Sequence, residues 1–220
     1  MLQAATIKFL KSLQKNNNKP WFEANRASYE AAKNDFQQLV ASLIPAIGAF
    51  DEPIGHLAVK DCTFRINRAV RFSKNKSSYK SNMAAYFSSG GKKAAVAGYY
   101  FHCEPGKSYV AGGFYTPMPQ DLAKLRQEID YNFEEWKRLL STKKFTRLFP
   151  TGVDGVETLV RPPKGYDENN PAIQYLKMKH YIVSTPLTDT DLQQATLVKD
   201  IATIFATMKP MIDFLNRAVA

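Results

Sequence analysis

The spacing of the apolar residues changes from helical to alternating and back along the chain, which limits the folds open to it. Apolar residues recur every seven positions over 22–43 and predict one stripe on a long helix that ends near Gly48. Residues 95–116, AVAGYYFHCEPGKSYVAGGFYT, alternate as in a β-hairpin, and a second helical stripe follows over 198–219. We therefore expect a single α+β domain over 1–220, with a mixed or antiparallel sheet and a central β-hairpin packed against long N-terminal and C-terminal helices.

Local signals place the turns and the shorter elements. Pro105-Gly106 suits the centre of a type II turn, and Gly112 and Gly113 predict a bulge or the close approach of another chain segment. Asn18 is expected to cap a helix. Further strands are expected at 62–66, 157–160 and 180–187. Two helices are expected between 119 and 140, with a break near Tyr131. The last helix is expected to begin near the TDTD cluster at 188–191 and to bend at Pro210.

Composition indicates a globular protein without a membrane span. The 220 residues are 45% apolar and 23% charged, and the apolar runs are much shorter than the roughly 20 residues of a membrane helix. The start, MLQAATIKFLKSLQKNNN, is typical of an amphipathic helix rather than a secretory signal. Cys62 and Cys103 form no CxxC pair and are expected to be buried and reduced, with one disulfide as the alternative. We expect a cytoplasmic protein.

Positive charge is concentrated in one short stretch. The net charge is +10, and residues 60–80 contribute seven basic side chains against one acidic one. Within them, FRINRAVRFSKNKSSYK (64–80) carries six cations and no carboxylate. Because cations about 7 Å apart repel by roughly 0.6 kcal/mol in water, the stretch either spreads its charges or shares an anion.

Arginine and lysine in this pattern suit a phosphate or another oxyanion. A guanidinium group presents a planar fork to two oxygens, whereas lysine acts as a point charge. We expect Arg65, Arg68 and Arg71 to make bidentate contacts with the anion. Lys76 and Lys80 would neutralise its charge, and Tyr79 would donate a hydrogen bond from its hydroxyl. A solvated cationic loop is the alternative interpretation of the same residues.

A second cluster, LVRPPKGYDENNP at 159–171, places Arg161, Lys164 and Tyr166 around a rigid turn. The two prolines restrict the backbone, and Gly165 can take a left-handed conformation. A structural turn with exposed charges is the alternative. Our hypothesis is that this turn and the first stretch share one electropositive recess.

Signals for catalysis or for a cofactor are weak. The three histidines lack HxH or HExxH spacing, so we predict no metal site and no cofactor, and no P-loop, GxGxxG or GxSxG motif is present. We expect His102 to be a strand residue with a local hydrogen-bond partner. The carboxylates available as a base, with no motif to select among them, are Glu104, Asp121 and Glu128.

The sequence resembles a family of uncharacterised bacterial proteins of similar length, grouped as domain of unknown function 2461. The family signature RxxRDxRFxxxKxPY corresponds to RINRAVRFSKNKSSY at 65–79, and FLKSLQKNNNKPWFEANRASYEAA, RPPKGY and PMIDFLNRAV are also similar. The motif falls on Arg65, Arg68, Arg71, Phe72, Lys76 and Tyr79. The resemblance implies one fold unit over nearly the whole chain and no established activity. Two positions depart from the signature: its Asp is Ala69 here and its Pro is Ser78. Chemistry that used the Asp would be impaired in this protein, whereas anion binding would not.

These observations predict that the chain binds a phosphate-bearing or otherwise polyanionic ligand through residues 65–80. The ligand would be a phosphorylated small molecule or a nucleotide. Three alternatives stay open: a nucleic-acid-binding protein, an enzyme that acts on a phosphorylated substrate, and a structural or partner-binding domain with no ligand. The sequence does not decide whether a reaction is catalysed, nor the oligomeric state.

Overall fold

The computed structural model describes residues 1–68 and 77–220, which form ten helices and four strands. The helices are α1 (Ala4–Lys15), α2 (Lys19–Ala24), α3 (Arg26–Gly48), α4 (Glu52–Gly55), α5 (Val59–Cys62), α6 (Pro119–Tyr131), α7 (Phe133–Leu140), α8 (Lys143–Leu148), α9 (Ile173–Leu176) and α10 (Leu197–Val219). The strands are β1 (Met83–Phe87), β2 (Gly98–Cys103), β3 (Ser108–Phe114) and β4 (Tyr181–Leu187).

The four strands form one antiparallel sheet in the order β1-β2-β3-β4, so the hairpin of β2 and β3 lies at its centre. The Lys107 N–H donates to the Glu104 carbonyl at 2.8 Å, and Gly106 has a φ of 76°, as a type II turn requires. The predicted α+β class, the central hairpin and the long helix α10 are confirmed. The long N-terminal helix is confirmed up to its end at Gly48, but it is divided at Asn25, so Phe22 of the predicted stripe lies on α2 and the rest lies on α3.

The chain forms two compact units. The first comprises Met1–Lys92, Tyr100–Val110 and Pro186–Thr203, and the second comprises Lys93–Tyr99, Ala111–Thr185 and Ile204–Ala220. The expected single domain over 1–220 stays a prediction.

The first unit is built on the apolar stripe of α3. This stripe packs against α1, α4 and β1, and its core residues Phe36, Val40, Leu43 and Ile47 are buried. Phe36 also stacks on Phe101 of β2 with the ring centroids 5.8 Å apart. The carboxylate of Asp35 accepts hydrogen bonds from the Gln3 backbone N–H (2.9 Å) and the Thr6 hydroxyl (2.5 Å), which holds the start of α1 on α3.

The second unit has an aromatic core. Trp136 of α7 is fully buried against Tyr181 of β4 and Phe214 of α10, with ring centroids 6.2 and 5.0 Å away. Arg217 of α10 bridges Glu128 of α6 and Glu135 of α7 at 2.7 and 2.8 Å. The break between α6 and α7 falls at Asn132, next to the predicted position.

Three further element predictions are wrong. Val59–Cys62 is helical because the Asp61 carboxylate caps it by accepting from the Ala58 N–H. In place of the strand expected at 62–66, the segment makes only isolated β-bridges, at Thr63 and Asn67. The segment 157–160 likewise makes one bridge, through Thr158, and no strand. The last helix begins at Leu197 rather than in the TDTD cluster, and β1 was not expected at all.

The TDTD cluster forms a separate cap. Asp191 accepts from the Thr188 N–H and hydroxyl, both at 2.7 Å, and its own N–H donates back to the Thr188 hydroxyl. This reciprocal pair starts only a 3₁₀ turn over Asp191–Gln193. Helix α10 continues through Pro210, and the bend expected there stays a prediction.

Other local predictions are confirmed. The Asn18 side chain accepts from the Trp21 N–H and caps α2. Cys62 and Cys103 are free, buried thiols. None of the helices formed by the described residues combines the length and the apolarity needed to span a bilayer.

Candidate functional site

Two short segments of the first unit carry the described part of the basic stretch. The Arg68 N–H donates to the Ser78 carbonyl at 3.0 Å, and the Lys80 N–H donates to the Ile66 carbonyl at 2.8 Å. Residues 64–68 and 78–84 therefore run antiparallel to each other. Arg71 and Lys76 lie outside the described residues, so their predicted roles stay predictions.

Tyr79 anchors the second of these segments to the helical layer. Its ring is buried and stacks on Phe22 of α2 with centroids 3.8 Å apart and an interplanar angle of 11°. The Asn17 side chain clamps its backbone, donating to the Tyr79 carbonyl at 2.9 Å and accepting from the Tyr79 N–H at 3.0 Å. The ring thus has a packing role, and the predicted contact of its hydroxyl with an anion stays a prediction.

Arg65 and Arg68 lie on one of these segments and Lys80 lies on the other, and we name the three residues the basic cluster. Partial burial and the positive charges of Arg65 and Arg68 lower the pKa of the Lys80 ammonium. In the described part of the chain, no carboxylate forms an ion pair with any of the three. The Nε of Arg68 is buried and has no hydrogen-bond partner among these residues. Within the described residues, the cluster is therefore a concentration of positive charge without an ion-paired carboxylate.

An exposed aromatic ring borders the basic cluster. Phe64 is 41% exposed, and the Lys80 ammonium lies 5.5 Å from the centre of its ring. Phe64 also contacts the ring of Tyr100 on β2, with centroids 6.5 Å apart. Phe64 thus connects the cations with the polar face of the sheet.

That face carries a hydrogen-bonded group of three side chains, Tyr100, His102 and Glu104, which we name the relay. The Tyr100 hydroxyl lies 3.0 Å from Nδ1 of His102, and Nε2 of His102 lies 3.1 Å from Oε2 of Glu104. Since a carboxylate only accepts, Nε2 carries the proton of a neutral imidazole, and Nδ1 then accepts from the phenol. The local hydrogen-bond partner expected for His102 is confirmed.

Further contacts hold the relay in place. Oε1 of Glu104 accepts from the Ser81 hydroxyl at 2.8 Å and from the Gln14 amide at 3.5 Å. Burial opposes ionisation of Glu104, but the hydrogen bonds from His102 and Ser81 outweigh it, and the pKa of this carboxyl is lowered. The Asn82 amide nitrogen lies 3.0 and 3.1 Å from the two ring nitrogens of His102.

Sequence reasoning named His102 and Glu104 but missed the relay as a group. The signal was the period of the strand: Tyr100, His102 and Glu104 alternate with the buried Tyr99, Phe101 and Cys103, so they share the opposite face. Their partners Gln14, Ser81 and Asn82 come from other segments, which spacing alone does not identify.

The second predicted cluster lies in the second unit. Arg161 and Lys164 are exposed, and the Tyr166 N–H donates to the Pro163 carbonyl at 3.1 Å. Gly165 has a φ of 93°, which confirms the left-handed conformation expected there. Partial burial and the nearby Asp130 raise the pKa of Tyr166. The recess that this turn would share with the basic cluster stays a prediction.

Neither thiol is suited to nucleophilic chemistry. Burial raises the pKa of Cys62 to about 11 and that of Cys103 to about 12, so both are protonated at neutral pH. Within residues 1–68 and 77–220, no group of three or more His, Cys, Asp or Glu side chains is arranged to hold a metal ion.

The described residues thus define an α+β protein in which a cationic cluster adjoins a Tyr–His–Glu group on one sheet. The chain belongs to a family described as conserved hypothetical protein, domain of unknown function 2461, whose model matches residues 5–214. Neither a curated protein nor a solved structure matches the chain.

Proposed function

We propose that the protein binds a phosphate-bearing anion at the basic cluster. The observation that carries this proposal is that Arg65 and Arg68 lie on a segment hydrogen-bonded to that of Lys80, with no ion pair to a carboxylate in the described part of the chain. A bound dianion would reverse the mutual repulsion of the three cations and would favour the charged form of Lys80.

The buried Nε of Arg68 supports the same proposal. A buried guanidinium N–H without an acceptor costs on the order of 1–3 kcal/mol, so an acceptor at this position is strongly stabilising. Phosphate has several oxygens and can accept from two guanidinium groups and an ammonium at once. The proposed ligand is therefore a phosphorylated small molecule or a nucleotide, in a cytoplasmic protein.

One observation favours nucleic acid as a second candidate ligand. Phe64 is exposed beside Lys80, and an exposed ring next to cations is a stacking platform for a base. The two candidates differ in salt dependence, because a nucleic acid releases one counterion for each phosphate contacted, whereas a compact site contacts one or two phosphates.

The test measures binding of inorganic phosphate, pyrophosphate, ATP and a single-stranded oligonucleotide by calorimetry. In Arg65→Gln/Arg68→Gln we expect at least a tenfold loss of affinity, about 1.4 kcal/mol, because two charge-assisted contacts are removed. The melting temperature without ligand should stay the same or rise, since repulsion around Lys80 decreases. Arg138→Gln/Arg147→Gln, which removes two exposed arginines of the second unit, is the charge-matched control and should bind as the wild type does.

Four outcomes would contradict the proposal. Equal losses in the two double variants would indicate attraction by net charge rather than a site. A clear fall in melting temperature of the Arg65→Gln/Arg68→Gln protein would make these arginines structural. Tight binding of the oligonucleotide alone, with a steep salt dependence, would replace the small ligand by nucleic acid, and no binding at all would leave a structural or partner-binding role.

A further inference from the structure

The relay has the arrangement of a proton-transfer group. Glu104 fixes the orientation and the tautomer of His102 through the 3.1 Å contact at Nε2, which leaves Nδ1 to accept from the Tyr100 hydroxyl at 3.0 Å. The imidazole is stacked on Tyr109 with centroids 4.7 Å apart and is 9% exposed. Tyr100 is half-buried and His102 is more enclosed, so Tyr100 is the candidate member of the relay for exchanging a proton with a substrate.

The relay is connected to the basic cluster in two ways. Phe64 contacts Tyr100 and also lies under the Lys80 ammonium. In addition, Lys80 is two residues from Asn82, which contacts the His102 ring, and side chains two residues apart on an extended segment share a face about 7 Å apart. An anion held by the cations would therefore lie near Phe64, whose ring contacts that of Tyr100.

The relay would lower the stability of the fold if its only role were packing, because a carboxylate and an imidazole lose hydration when they are partly buried. The opposite face of β2 is filled by Tyr99, Phe101 and Cys103, and apolar residues on this face would need no partly buried carboxylate–imidazole pair. A histidine oriented by a carboxylate and hydrogen-bonded to a hydroxyl is the arrangement that general acid–base catalysis uses.

We propose that the site hydrolyses phosphate esters, with Tyr100 and His102 as the general base; this rests on the proposed binding of a phosphate-bearing anion. A water oxygen forms a bond to phosphorus while its proton passes to the Tyr100 oxygen and the phenolic proton passes to Nδ1 of His102. The ester P–O bond breaks, and the alcohol oxygen leaves with the bonding pair and takes a proton from solvent. Nδ1 then returns its proton through Tyr100 to water, so ester and water give alcohol and phosphate.

Each group has a defined role in this step. Tyr100 contacts the attacking water and is the catalytic residue, and His102 accepts the proton behind it. Glu104 is a positioning residue that stabilises the imidazolium. Arg65, Arg68 and Lys80 hold the phosphoryl oxygens and stabilise their charge in the transition state.

The experiment measures release of p-nitrophenol from p-nitrophenyl phosphate and bis(p-nitrophenyl) phosphate, together with inorganic phosphate binding by calorimetry. Tyr100→Phe and His102→Gln should each lower kcat by about 100-fold or more while phosphate affinity changes less than about threefold. Glu104→Gln should shift the acidic limb of the pH–rate profile, which a loss of packing would not do. Tyr131→Phe and His56→Gln, exposed residues of the same types, are the controls and should retain wild-type rates.

The outcomes separate the two proposals. Phosphate binding without hydrolysis of either ester would overturn the catalytic role and leave the anion site standing. Hydrolysis that persists in both Tyr100→Phe and His102→Gln would assign the base elsewhere and would also overturn it. Absence of both binding and hydrolysis would refute the anion site itself.

Discussion

At the scale of single residues, Gly113 shows how closely β3 and β4 approach. It has a φ of 129°, and a Cβ built on it would overlap the Tyr181 carbonyl. Its neighbour Gly112 would place a Cβ 2.5 Å from the Met208 sulfur. The close approach predicted from the glycine pair is therefore confirmed, and its cause is packing on both sides of the strand.

We expect Gly113→Ala to lower the free energy of unfolding by at least about 3 kcal/mol, because the methyl group meets backbone that cannot move without breaking the β3–β4 ladder. Gly152→Ala is the matched control: Gly152 also has a positive φ, 67°, but open space surrounds its added Cβ. It should cost only the conformational strain, about 1 kcal/mol. Urea denaturation measures both, and equal losses would show that the overlap at Gly113 is relieved.

Part of the site could be predicted residue by residue. The sequence indicated Arg65, Arg68 and Lys80 because cations at short spacing without carboxylates are visible in a linear pattern. The strand period placed the three relay residues on one face but did not show that they are hydrogen-bonded, and their partner Gln14 is 90 residues from Glu104, a contact that no local signal records. An apolar stripe can be predicted from the spacing of apolar residues within one helix or strand. A hydrogen-bonded group of polar side chains can be predicted only when the residues that contact it from other parts of the chain are known.

At the scale of elements, the same distinction separates the long helices from the short ones. Helix α3 has 23 residues and a stripe of many turns, so its end at Gly48 was predicted correctly. Helix α5 and the 3₁₀ turn at Asp191–Gln193 have four and three residues and depend on single capping carboxylates. For such elements one hydrogen bond outweighs the apolar pattern, and propensity arguments fail.

The connection between α1 and α2 illustrates what one side chain does for the site. The run Asn16–Asn17–Asn18 has three different roles: Asn16 bonds back to Ser12, Asn17 clamps the backbone of Tyr79, and Asn18 caps α2. Only the second joins two elements distant in sequence. The position of Lys80, the residue after Tyr79, therefore depends on the helical layer.

Asn17→Ala should lower the free energy of unfolding by about 2 kcal/mol, because it removes two hydrogen bonds to a half-buried backbone. It should also weaken phosphate binding by about three- to tenfold, since Lys80 loses its fixed position. Asn16→Ala, which removes one exposed bond within α1, is the control and should leave phosphate affinity unchanged. Unchanged affinity in Asn17→Ala, measured by the same calorimetry, would mean that the clamp does not position the cluster.

At the scale of the whole molecule, charge is distributed unevenly. The net charge is +10, and single carboxylates nevertheless join separate elements of the fold. Asp189 accepts from the Lys11 ammonium at 2.8 Å and from the Gly106 N–H at 2.9 Å, and so joins α1 to the turn between β2 and β3. Hydrogen bonds from Lys11 and Gly106 lower the pKa of this carboxyl despite some desolvation.

A lowered pKa gives stability that is present above the unfolded value, about 3.9, and is lost as the pH falls through the folded value. We therefore expect the free energy of unfolding to be nearly constant from pH 7 to 5 with respect to Asp189 and to fall below about pH 4. Asp189→Asn should be less stable at pH 7 by on the order of 1 kcal/mol, since the pair with Lys11 is partly exposed, and it should lose less stability on acidification.

Asp200→Asn, which removes an exposed carboxylate of α10 outside any ion pair in the described residues, is the charge-matched control. Urea titrations at pH 7, 5, 4 and 3 measure the difference. If Asp189→Asn keeps the full wild-type loss below pH 4, the acid sensitivity comes from other carboxylates and the link from Lys11 to the hairpin turn contributes little.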